Sequence, residues 1–189
     1  MKVERHGQAR ILSWSEIQLL FNEGLTKDRD RTLFGVCLYT ACRIAEACSL
    51  KSVDAYEGER VRSLIILRKS TTKGKRATRQ VAPHPDLVRL LTVYHPEAGK
   101  VYLFPGRHGR GHIHPTSADA ILRIACERVG LTGVSTHSFR RTMLTSLSSN
   151  GTPLAVIQKI SGHTSLGALQ AYLEVSDEQV AGAIRGVRF

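Results

Sequence analysis

Residues 161–172 read SGHTSLGALQAY, a Ser-Gly-His turn followed by a short apolar helix that ends on a tyrosine nine residues past the histidine. Gly162 stops the preceding helical run, and Leu166 and Leu169, three apart, are placed to hold the next helix to a core. Packing accounts for the leucines. A tyrosine near a chain end is ordinarily a packing residue too, so Tyr172 acquires a second meaning only from what the rest of the chain supplies.

Working back from this stretch, the sequence is a succession of helical patterns. Pro153 opens a helix that runs through Ile160, Ser138 to Ser148 forms another, and Thr116 to Val129 repeats apolar residues at helical spacing before Gly130. Pro85 to Tyr94 is also helical, while Arg107 to Pro115 is a Gly/His/Arg loop and Val101 to Phe104 is too short to classify. Near the start, Ser13 and Glu16 make a capping-box pair ahead of Ile17, Leu19, Leu20 and Phe21, with Gly24 as the stop. Trp14 and Phe21 are read as core or as packing between this helix and the rest. Helices over Arg29 to Thr40 and Ile44 to Leu50 leave Arg43 at their junction, and the last helix runs from Asp177 to Ile184.

The period changes once. Val61 to Leu67 is β-rich, Ser70 to Gly74 turns, and Arg79 to Ala82 returns before Pro83, which predicts a β-hairpin or small meander. The expected fold is mainly α with a small antiparallel β-sheet (α+β).

Composition narrows the partners. Lys and Arg number 27 against 16 Asp and Glu, a formal net charge of +11, and hydrophobic residues make up 42% with no apolar run long enough to span a bilayer. No membrane partner is expected, and the reading is cytoplasmic, nucleoid-associated. Eight basic residues, Arg60, Arg62, Arg68, Lys69, Lys73, Lys75, Arg76 and Arg79, fall within twenty positions. Such a run is either a solvated face or a nucleic-acid contact, and double-stranded DNA is the leading partner. Four cysteines with no C-x-x-C pair point to buried reduced thiols rather than a metal site. His108, His112 and His114 lack acidic or cysteine companions, so no metal and no cofactor are expected.

Three further patterns carry chemistry: Ala41-Cys42-Arg43-Ile44-Ala45-Glu46, the Lys73-Gly74-Lys75 turn, and Thr136-His137-Ser138-Phe139-Arg140. His137 and Arg140 are three apart, so on a helix they share a face and can address one anion. Breaking a phosphodiester without a metal needs guanidinium donors, a nucleophile and an acid for the leaving oxygen. Arginine suits the clamp because its fork spans two phosphate oxygens and keeps its charge.

Together these motifs resemble the catalytic domain of the tyrosine recombinases, the phage-integrase family, over about Ile11 to Ile184. That family joins A-x-R-x-x-E, a hairpin lysine, H-x-x-R, and G-H followed nine residues on by tyrosine, in this order. The resemblance implies a DNA breaking-rejoining fold in which Arg43 and Arg140 grip the scissile phosphate and His137 and His163 donate hydrogen bonds or move protons. Tyr172 would attack to form a 3'-phosphotyrosyl link, with Lys73, taken in preference to Lys75, as the acid. Glu46 resembles the family's supporting carboxylate, which orients the site without touching DNA; read alone, a surface helix acid would show the same spacing. Arg68, Lys69, Lys75, Arg76, Arg79, Arg107, Arg110 and Arg141 are the expected DNA-binding residues. A homotetramer on two DNA sites is implied for recombination, with a monomer free in solution.

By this reading residues 1–10 are an N-terminal extension and 11–189 the catalytic domain, with no N-terminal core-binding domain in this chain. Two other functions stay open at this level: a non-catalytic DNA-binding accessory module of the same fold, and relaxation of supercoils like that of a type IB topoisomerase.

Overall fold

The computed structural model describes residues 9–68, 78–170, 173 and 177–185. Helix α1, Trp14–Leu19, starts as its capping residues dictate: the Ser13 N–H donates to Glu16 Oε2 at 2.9 Å and the Glu16 N–H to Ser13 Oγ at 3.2 Å. A π-helical turn, Leu20–Gly24, continues it. Trp14 is 48% exposed and belongs to no core, whereas Phe21 meets Phe139 edge-on at 6.2 Å. The packing role expected of both residues falls to Phe21 alone.

Helix α2, Asp28–Tyr39, is the central rod: Leu33, Phe34, Val36, Cys37 and Leu38 are wholly buried. A helix apolar on nearly every side must be covered on nearly every side. Helix α5, Pro85–Tyr94, covers one flank, and α7, Thr136–Ser149, another, where Phe34 stacks on Phe139 at 5.2 Å. Helix α6, Pro115–Arg128, closes the core against the π-helical turn with Leu122, Ala125 and Cys126. All four cysteines are buried free thiols. Desolvation lifts the Cys126 thiol to about 11 and the Cys48 thiol to about 12, which keeps both in the neutral, unreactive form.

Short elements fill the space between. Helices α3, Ile44–Cys48, and α4, Ser52–Ala55, lead into strands β1, Tyr56–Glu57, and β2, Arg60–Val61, which pair antiparallel. Strands β3, Ile65–Leu67, and β4, Arg79–Val81, make a second antiparallel pair in the register Ile65 to Val81 and Leu67 to Arg79. The strand expected over Val61 to Leu67 is thus two strands of two different hairpins, separated by a bend at Ser63 and Leu64. β-Branched composition marked the region correctly and could not mark the break. The fold is mainly α with small antiparallel sheets.

A second, smaller core lies under the C-terminal helices, where Ala41, Leu144, Ile157 and Leu169 are each wholly buried. It joins α7 to α8, Leu154–Ser161, and to α9, Leu166–Gln170. Leu169 alone of the two leucines anchors α9; Leu166 is 45% exposed, a correction to the pair expected. On a five-residue helix one apolar side chain is enough to face the core. Helix α10 spans Asp177–Arg185.

Candidate phosphate-binding site

The site is built where the two cores meet. Helix α2 ends at Thr40, and Ala41 then takes a left-handed backbone with φ +49°. A residue with a Cβ pays roughly 1 kcal/mol for that conformation, so the turn is held by its surroundings. Ala41 is wholly buried in the second core, and its carbonyl accepts a hydrogen bond from Arg140 Nη1. The reversal delivers Arg43 to the N-cap of α3, with its side chain 22% exposed.

Arg140 enters from the middle of α7 and is completely buried. Its Nη2 donates to the Ser161 carbonyl at 2.9 Å and lies 3.1 Å from His163 Nε2. His163 is itself 6% exposed. It follows Gly162, whose φ of +68° forms the left-handed cap of α8 and turns the chain back toward Arg140. Ser161 Oγ donates to the Gln158 carbonyl at 3.2 Å and lies 2.7 Å from His163 Nδ1. With that hydroxyl proton committed, the consistent tautomer has Nδ1–H donating to Ser161 Oγ, while Arg140 Nη2, 3.1 Å from Nε2 and 3.4 Å from Nδ1, lies against the ring.

Glu46 is the counter-charge. It is 2% exposed and not a surface acid: Oε2 accepts from the Arg43 N–H at 2.8 Å and lies 3.8 Å from Arg43 Nη1, while Oε1 accepts from Arg79 Nη1 at 2.6 Å. Burial pushes its carboxyl up, but the hydrogen bond and charge of Arg79, the Arg43 N–H and the charge of Arg140 together outweigh that and hold it below the usual carboxylate value. Three guanidinium groups therefore converge with one carboxylate. Guanidinium groups gathered in this way suit an oxyanion.

His137 lies in the first turn of α7, exposed, one turn before Arg140. It borders a cleft of about 520 Å³ with Ser135, Arg123 and Glu127. Among the described residues no cluster of three His, Cys, Asp or Glu side chains is disposed to hold a metal ion. Lys69, Lys73, Lys75, Arg76 and Tyr172 lie outside the described residues.

Of the arginines expected to contact DNA, two face inward. Arg79, 9% exposed, is spent on Glu46 and on the Ile160 carbonyl, which accepts from its Nε at 3.0 Å. Arg141, 6% exposed, donates from Nη1 to the Ala9 carbonyl at 2.6 Å. Arg68 makes a bidentate pair with buried Asp54 at 2.7 and 2.6 Å. Arg107 and Arg110 are exposed and border a cleft with His112 and His114. The signal for Arg79 was present in the alternation of β4: it shares a face with Val81, and that face is buried while Gln80 is exposed. Ser161 was missed as a partner of His163, and nothing in the sequence marks the left-handed turn at Ala41.

A mostly helical domain that brings these arginines and a histidine to one point, in this chain order, is the architecture of a tyrosine recombinase catalytic domain. The chain belongs to the Phage integrase family, whose model matches residues 10–179. It is 30% identical over 167 residues to tyrosine recombinase XerD of Corynebacterium glutamicum, covering 84% of this chain and 52% of that protein. It is 28% identical over 162 residues to a tyrosine recombinase of Thermosipho africanus, covering 83% and 53%. The chain thus spans about half the length of these curated relatives. The crystal structure of XerA recombinase superposes with a TM-score of 0.77 at 25% identity, over 95% of this chain and 64% of that one. XerH recombinase, solved with a palindromic difH substrate after cleavage, shares the fold with a TM-score of 0.74 at 20% identity, over 93% and 52%. No helix among the described residues is long and apolar enough to cross a membrane.

Proposed function

We propose that this domain cleaves and rejoins double-stranded DNA through a covalent bond to Tyr172. The observation that supports this reading best is Arg140: an arginine with no exposed surface, aimed by two carbonyls and set against His163, with Arg43 facing the Glu46 carboxylate. Burying a guanidinium is costly, and a site that does so holds it ready for charge that develops during reaction.

In the proposed step Tyr172 Oη attacks the scissile phosphorus as the bond to the 5' oxygen breaks. The tyrosine proton passes to a base and the leaving oxygen takes one from an acid, so no water, metal or nucleotide is consumed. Arg43 and Arg140 neutralise the non-bridging oxygens, His137 and His163 hydrogen-bond or move protons, and Lys73 is the acid. A second 5' hydroxyl reverses the step on a new strand. The bond energy is kept in the phosphotyrosyl ester, and recombination requires four copies on two DNA sites.

Nicked duplexes that release the short fragment bearing the new 5' hydroxyl on cleavage test this. Wild type accumulates a covalent protein–DNA adduct, and Tyr172→Phe abolishes it. DNA binding without an adduct on cognate or supercoiled DNA would instead leave an accessory binding module, and supercoil relaxation without recombinant products a topoisomerase-like activity.

A further inference from the structure

We propose that Arg79 is a positioning residue for the phosphate clamp, acting through Glu46 on Arg43; this rests on the cleavage reading above. Arg79 lies 33 positions from Glu46 and 81 from Ile160, yet one guanidinium reaches both: Nη1 to Glu46 Oε1 at 2.6 Å and Nε to the Ile160 carbonyl at 3.0 Å. The other carboxylate oxygen of Glu46 receives the Arg43 N–H and faces the Arg43 guanidinium. An unbroken polar chain therefore runs from the end of α8 through β4 to the N-cap of α3.

The same side chain lies against the Gly162 turn. A Cβ on Gly162 would stand 3.2 Å from Arg79 Nη1 and 3.3 Å from Arg79 Cδ, so the guanidinium occupies space that glycine leaves. Arginine is needed because its rigid fork presents Nε and Nη1 to two acceptors at once, whereas a lysine brings a single ammonium point. Glu46 faces the Arg43 guanidinium and helps to aim it, and Arg79 helps to hold Glu46.

The experiment compares adduct formation on two nicked duplexes, one with an ordinary scissile phosphodiester and one with a neutral methylphosphonate. The methylphosphonate carries one negative charge fewer than the phosphodiester in both ground and transition states, so its cleavage depends less on where Arg43 points. Arg79→Lys and Arg79→Ala are expected to slow single-turnover cleavage of the phosphodiester about 100-fold, the size of effect a misaimed group produces, and that of the methylphosphonate by less than about threefold. The ratio within one variant cancels any loss of folded protein. Equal losses on both substrates, with wild type active, overturn the positioning role alone. No wild-type adduct on the phosphodiester overturns the cleavage reading, and this role with it.

Discussion

Arg140 Nη2 stands 3.1 Å from His163 Nε2, and the same guanidinium is tied to the carbonyls of Ala41 and Ser161. One buried side chain thus joins three motifs that are far apart in sequence. Arg140→Lys keeps the charge and loses the span, because an ammonium on a flexible stem cannot meet three directions at fixed angles. We expect adduct formation to fall about 100-fold or more. We also expect a stability loss of about 2 kcal/mol from the unmatched buried carbonyls. Single-turnover cleavage and denaturant melts read the two effects separately; a variant that cleaves like wild type sinks the assignment of Arg140 to the clamp.

Glu46 makes the site sensitive to acid in a defined direction. Its carboxyl is held below the ordinary value of 4.5, so the unfolded chain takes up the proton first as pH falls. The stabilisation is fully present above the ordinary value and is lost as pH falls through the folded one. Glu46→Gln removes that dependence. It also leaves the Arg79 guanidinium buried without a counter-charge, which costs about 3 kcal/mol at neutral pH. Thermal melts from pH 7 to 3 should show wild type and variant converging as the pH falls; parallel curves would contradict the pairing.

The helices were legible because capping residues, proline starts and apolar spacing are local, and Ser13, Pro85 and Gly162 behave in the structure as their types require. The cores were legible for the same reason, apart from Trp14 and Leu166, where helical spacing places a residue without saying whether a neighbour will cover it. Charge was the weaker guide. A basic run reads alike whether its members face solvent or the interior, and only the two-residue period of β4 separates Arg79 from the rest. The left-handed turn at Ala41 was beyond reach, since its strain is offset by contacts more than a hundred residues away in the second core.

Gly162 separates two kinds of constraint. Its φ of +68° penalises any side chain, as does the +70° of Gly130, but a Cβ at Gly130 meets open space while one at Gly162 meets Arg79. Gly130→Ala should cost about 1 kcal/mol from backbone strain alone. Gly162→Ala should cost more and should also slow cleavage, because the arginine must shift. Equal destabilisation with unchanged cleavage would show that Arg79 yields freely.

The remaining prediction concerns which arginines touch DNA. Arg107 and Arg110 are exposed, whereas Arg141 is turned inward onto the Ala9 carbonyl. Each phosphate neutralised releases counterions, so the slope of log K against log salt shrinks by about 0.9 for every contact removed. Arg107→Ala combined with Arg110→Ala should reduce the slope by about 2 at most and weaken binding on all sequences alike. Arg141→Ala should lower the melting temperature and leave the slope unchanged. Salt titrations of duplex binding by fluorescence anisotropy distinguish these outcomes, and a reduced slope for Arg141→Ala would place that side chain on the DNA after all.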